Sequence, residues 1–183
     1  GATRDNPHLL TSFVAAMEAQ YGGTRLGRQE LEGELLTDIE GALWSRDLLE
    51  KQRAVAIPDM RRVVIGVDPP ASANGTCGIV AAGLGVDGKA YVLADCSVAG
   101  ASPEGWARAV ANAAAVWHAD RVIAEGNQGG DMVTATLSAA SINLPVKKVF
   151  ARHGKVRRAE PAAALYERGR AFHAGPFDAL EDQ

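Results

Sequence analysis

The chain has 183 residues, 47% of them apolar and 22% charged, with a formal net charge of −3. That length suits one domain with a sizeable core, and the net charge by itself points to no nucleic-acid partner. Cys77 and Cys96 lie in separate apolar runs, which argues against a disulfide scaffold and for a reduced intracellular protein. No apolar run approaches the roughly 18 residues a membrane span needs.

The first third reads as a helical lead-in without a strand. Residues 7–21, PHLLTSFVAAMEAQY, carry apolar residues at helical spacing and stop at Gly22-Gly23, and 25–33 and 46–53 suit short helices. The opening residues lack a signal-peptide pattern and a leading Met, and the closing DALEDQ sits inside a helical pattern. Both ends are therefore expected to lie inside a longer protein.

From residue 61 the texture changes. Strands are expected at 62–67, 77–84 and 90–97, joined by turns at 69–76 and 86–88, which makes an antiparallel three-strand meander. Ser102-Pro103-Glu104 opens a helix to about 118, with Pro at its first position. A strand at 121–124, a helix at 130–141, a strand at 146–150, a basic loop, a helix at 158–168 and a short apolar piece at 171–173 follow. Asp131 is expected to cap its helix start, and Trp44, Trp106 and Trp117 to serve the core rather than stack on bases.

Two of these strands end on a carboxylate. VVIGVD stops at Asp68 before Pro69-Pro70, and VIAE stops at Glu125 before a glycine-rich turn. In this element order the fourth strand lies parallel beside the first, so both acids emerge at one sheet edge, where α/β sheets bind ligands. Two unpaired carboxylates that close repel. They call for a cation or a shared proton, and a divalent metal with hard oxygen ligands, Mg²⁺ or Mn²⁺, fits. Charge is also uneven along the chain. Residues 147–170 hold eight basic residues, among them Arg152, Lys155, Arg157 and Arg158, against Glu160 and Glu167. Such a segment on an otherwise acidic chain is a candidate phosphate-contacting surface. His153 within it reads as an exposed loop residue that could donate to a phosphate.

A strand ending in Asp, a meander, a helix and a strand ending in Glu resemble the ribonuclease-H-like nuclease superfamily. The phrases QYGGTRLGRQELEGELL (20–36), EGALWSRDLLE (40–50), VIGVDPP, AEGNQGG and HGKVRRAEPAAALYERGRAFH resemble the C-terminal nuclease domain of the phage or gene-transfer-agent terminase large subunit. The resemblance implies an α/β fold: a mixed sheet of a three-strand antiparallel meander plus parallel strands, flanked by helices. It implies that residues 1–60 form a helical linker after an ATPase domain, and that 61–183 form the nuclease domain, cut short at its C-terminus. No GxxxxGK[ST] loop is present, so this piece alone is not expected to hydrolyse ATP.

The implied activity is cutting concatemeric double-stranded DNA for packaging into a procapsid by two-metal phosphodiester hydrolysis. The setting would be the bacterial cytoplasm, with portal and small terminase subunit as partners and no membrane. Asp68 would bridge two Mg²⁺ or Mn²⁺ ions, Glu125 would be the second ligand, and a third acid would lie beyond Gln183. Asp95 and Asp182 are the weaker candidates within the chain. Lys155, Arg157, Arg158 and Arg152 would contact DNA. A sugar-kinase phosphate loop fits poorly, because six residues, two of them prolines, separate Asp68 from Gly75-Thr76. A non-catalytic DNA-binding or docking module of the packaging motor stays open as the alternative.

Overall fold

The computed structural model describes residues 43–72, 74–126, 130–140, 145–151 and 154–182. The helices expected at 7–21 and 25–33, and Arg152 and His153, lie outside that set. The chain divides into two compact units, one of Asp47–Gly175 and one of Gly1–Arg46 with Pro176–Gln183. Helix α1 covers Arg46–Lys51. In the second unit, α5 covers Asp178–Glu181, and Arg46 pairs with Asp182 at 3.0 Å.

The larger unit is built on a mixed sheet. Its strands are β1 (Met60–Asp68), β2 (Thr76–Gly85), β3 (Ala90–Asp95), β4 (Val98–Ala99), β5 (Arg121–Glu125), β6 (Val146–Val149) and β7 (Ala171–His173). The sheet order is β6-β5-β1-β2-β3-β7, with β4 paired to β2. β1, β2 and β3 form the expected antiparallel meander, while β5, β6 and β7 each pair in parallel with a neighbour. Helix α2 spans Pro103–Val116, α3 Gly130–Ala139 and α4 Lys155–Glu167.

Alternation along the strands decides which face is core. Val63, Ile65 and Val67 of β1, Ile79 and Ala81 of β2, and Val122 and Ala124 of β5 are buried on one face. They pack with Trp106, Ala107 and Val110 of α2 and with Val133 and Leu137 of α3. Trp106 is thus a core residue, as its sequence context suggested. Ser102 caps α2 through Gly105 N–H at 3.1 Å, and Pro103 fills the first turn. The residues between these buried ones, including Gly66, Val80 and Ile123, point to the other face and are half-buried.

Beyond shifts of a residue or two at element ends, three places differ from the sequence expectation. β3 stops at Asp95 rather than 97, because the Asp95 carboxylate accepts from Ser97 N–H (3.0 Å) and the Ser97 hydroxyl (2.5 Å). The hydroxyl in turn accepts from Ile79 N–H at 3.1 Å, and the chain bends into β4, which the sequence did not announce. The apolar piece 171–173 is a true strand, pairing with β3 in the register Tyr91–Phe172. Helix α4 starts at Lys155, not 158, so Lys155 is helical rather than part of a loop and shares the helix with Arg158. A start at 158 would keep Pro161 in the first turn, where its missing N–H costs nothing. The extra turn instead places Pro161 inside the helix.

Candidate active site

β1 and β5 run in parallel with Val67 opposite Ala124. One step further on, each strand ends, on Asp68 and Glu125 respectively. Because Val67 and Ala124 are buried on the core face, alternation turns both carboxylates to the opposite face, on strands about 4.8 Å apart. The sequence expectation that the two acids meet at one sheet edge therefore holds as geometry.

The Pro69-Pro70 turn leaves β1 directly after Asp68. Gly75 closes it, its N–H bonded to Ser72 C=O at 3.0 Å. A Cβ there would sit 3.0 Å from Pro70 Cβ and 3.2 Å from Ser72 O, tighter than ordinary van der Waals contact, so the return leaves little room for a side chain. The turn walls a cavity of about 250 Å³ shared by Asp68, Glu125, Ser72, Thr76 and Lys155.

Helix α4 brings its cations to this cavity. Lys155 Nζ donates to Asp68 Oδ2 at 3.4 Å, and Arg158 Nη1 donates to Glu125 Oε2 at 3.0 Å. Residues three apart share a helix face, which is why one helix end reaches two adjacent strands. Lys155, Arg157 and Arg158 at a helix N-terminus oppose the macrodipole, and the two carboxylates offset that cost. Arg157, on another face, is exposed and enters neither pair. The sequence reading put these basic residues near the acids but missed the direct pairing. The i,i+3 spacing of Lys155 and Arg158 was the signal, and it carried weight only once the helix start was known.

The other acids fall elsewhere. Asp95 is engaged by Ser97 and does not line the cavity, and Asp182 pairs with Arg46. Asp131 sits in the first turn of α3 and pairs with Lys148 of β6. The hydrogen bond and charge of that lysine hold its carboxyl below the usual range. Among the described residues, no group of three or more His, Cys, Asp or Glu side chains converges. Cys77, on the core face next to Asp68's partner Gly78, is buried; burial first, then the Asp68 carboxylate, pushes its thiol up to about 11. It is a core thiol, not a nucleophile.

A mixed sheet of an antiparallel meander extended by parallel strands and flanked by helices is a ribonuclease-H-like fold. The family model "Terminase RNaseH-like domain" matches residues 65–183, and the chain belongs to that family. Among solved structures, the large terminase of a thermophilic bacteriophage aligns with TM-score 0.56 at 12% identity, covering 94% of this chain and 42% of that one. The HK97 bacteriophage large terminase aligns with TM-score 0.55 at 16% identity, over 73% of this chain and 34% of its own. The large terminase nuclease of a second thermophilic phage, G20c, with bound cobalt, gives TM-score 0.54 at 17% identity, covering 74% and 75%. The likeness to all three is one of fold. The chain spans under half the length of each of the first two proteins. No curated protein sequence matches it.

Proposed function

We propose that this chain is the nuclease module of a DNA-packaging large terminase, cutting double-stranded DNA with divalent metal ions at Asp68 and Glu125. The observation that carries the reading is the adjacency of these two carboxylates on β1 and β5, open to a cavity whose far wall is cationic. On this reading residues 1–60 link the module to an ATPase domain, and 61–183 form the nuclease domain.

The donor set fits Mg²⁺ or Mn²⁺. Such ions take one or two carboxylates and complete their shell with water and substrate phosphate. Asp68 and Glu125 are hard oxygen donors, and each already sits beside a positive charge. When bound, the metal would supply Lewis acidity that polarises the phosphodiester and makes the attacking water more acidic, with two ions in the complete site. The chain's own groups do the rest. The Pro69-Pro70 turn fixes the direction of Asp68. Lys155 and Arg158 lie where they can exchange carboxylate for phosphate, and Arg157 adds an exposed positive charge at the same helix end; contacts of this kind position DNA without reading its sequence. The cobalt held by the G20c nuclease supports a divalent ion in this fold.

Supercoiled plasmid incubated with the chain tests the proposal. Nicked and linear products are expected with Mn²⁺ or Mg²⁺ and none with chelator. Binding of DNA without cutting in any divalent ion would favour instead a docking module of the motor.

A further inference from the structure

A second cavity opens where β1 and β5 begin, at the end of these strands away from the two carboxylates. Its volume is about 320 Å³, within the range of ligand-binding pockets. Buried or half-buried Met60, Val63, Leu93 and Trp117 form its floor, and exposed Arg61, Arg62 and His118 its mouth. Met60 lies across Gly83 against Leu93: a Cβ at Gly83 would meet Met60 Sδ at 2.5 Å and Leu93 Cδ1 at 3.1 Å. A methionine in such a floor adapts its shape to what it touches. Arg62 and Asp68 share β1 and stand about 20 Å apart at the rise of a β-strand.

The mouth is cationic and unpaired. Among the described residues neither arginine side chain has a hydrogen-bond or ion-pair partner, and neither does the His118 ring. Asp120 also lines the cavity, but it is turned to the strand: its Oδ2 accepts from Val63 N–H at 2.8 Å, and its own N–H donates to Val63 C=O at 2.8 Å. The placement of His118 runs against backbone preference. Ala119 N–H bonds to Ala114 C=O at 2.9 Å and His118 N–H to Ala115 C=O at 3.3 Å, the pattern that ends a helix on a left-handed residue. Glycine suits that position best, yet His118 holds it at φ 47° and adds an imidazole to the lining.

Exposed arginines alone would suit a phosphate backbone. A duplex, however, meets a protein surface mainly through phosphates and sugars, and brings no apolar group that fills a pocket floor. An apolar floor under a cationic mouth matches a protein segment in which one apolar side chain is the buried anchor and acidic neighbours meet the charges. We infer that this cavity docks an acidic segment of another protein, seated by one apolar side chain. The inference is independent of the nuclease reading, because it concerns the end of the sheet where β1 and β5 begin rather than the end that carries Asp68 and Glu125.

The test pans a displayed library of random peptides, each about a dozen residues long, on the full chain. Enriched peptides are expected to carry an aromatic or aliphatic residue among Asp and Glu, and to bind with a roughly micromolar Kd in fluorescence anisotropy. Replacing the peptide's apolar residue with Ser should weaken binding by more than about tenfold. Arg61→Ala with Arg62→Ala should weaken it about tenfold. Both arginines are exposed, so this double variant should melt within about 2 °C of the wild type. His118→Gly should weaken binding about threefold while the chain melts no lower, because glycine relieves the left-handed backbone. A library that yields no acidic, apolar-anchored peptide overturns the inference, as do enriched peptides that bind the double variant as tightly as the wild type. A double variant whose salt slope for duplex DNA falls by about 2 also overturns it, and makes the arginines a phosphate-contacting surface instead.

Discussion

Replacing Asp68 by Asn separates a role in chemistry from one in folding. The structure sets the folding cost. Among the described residues Asp68 forms its ion pair with Lys155, at 3.4 Å, and the two side chains are 55% and 82% exposed. A pair that wet contributes at most about 0.5 kcal/mol. Against that loss, neutralising Asp68 relieves its repulsion with Glu125 on the next strand, which is worth about 1 kcal/mol at 4 Å in water. The two terms nearly cancel, so Asp68→Asn should melt within about 3 °C of the wild type. Cutting should respond differently. If this carboxylate organises the charge that stabilises the reacting phosphate, its loss should slow plasmid cleavage by about 10²–10³-fold or more. Gel densitometry of supercoiled, nicked and linear plasmid in Mn²⁺, beside a thermal melt, reads both quantities on one preparation. Cleavage at a tenth of the wild-type rate or more would remove Asp68 from the site. A fall in melting temperature beyond about 5 °C would make it a structural residue.

Further tests reach other parts of the molecule. If Glu125 holds a dication as proposed, Arg158 would compete with it, so Arg158→Ala should tighten Mn²⁺ binding in calorimetry by about two- to tenfold, and weaker binding would contradict this. Replacing Lys155 and Arg158 with Ala should reduce the slope of log K against log salt by about 2 for unrelated duplexes; an unchanged slope would return the segment to an ordinary solvated surface. Cys77, pushed from 9.0 up to about 11 by burial and by Asp68, keeps in the folded chain a proton that the unfolded chain gives up. Its share of stability is therefore complete below pH 9 and lost as pH rises from about 9 to 11, and alkylation at pH 8 should run about a hundredfold slower than in urea. Ile65, fully buried in the central strand β1, should cost about 2–5 kcal/mol as Ile65→Ala, read as a lowered urea midpoint.

The meander and both carboxylate-ended strands were legible in the sequence because their causes are local. Alternating β-branched residues mark β1 and β2, Asp87-Gly88 marks the hairpin, and Pro69-Pro70 stops the first strand behind Asp68. The pairing of Asp68 with Glu125 followed from one topological rule, that a strand entering after a crossover helix lies parallel beside its partner. What only the tertiary structure decided rests on contacts distant in sequence. β7 becomes a strand because β3 offers an open edge, and residues 171–173 alone are too short to declare themselves. The start of α4 is the clearest case. A helix that begins Lys-Val-Arg-Arg opposes its own dipole and carries Pro161 within, so no local rule favours it. In the assembled fold that helix end meets two negative charges, Asp68, 87 residues from Lys155, and Glu125, 33 residues from Arg158. Sequence pattern reports the backbone preferences of neighbouring residues, whereas the charges that this helix end meets are brought to it only once the sheet has assembled.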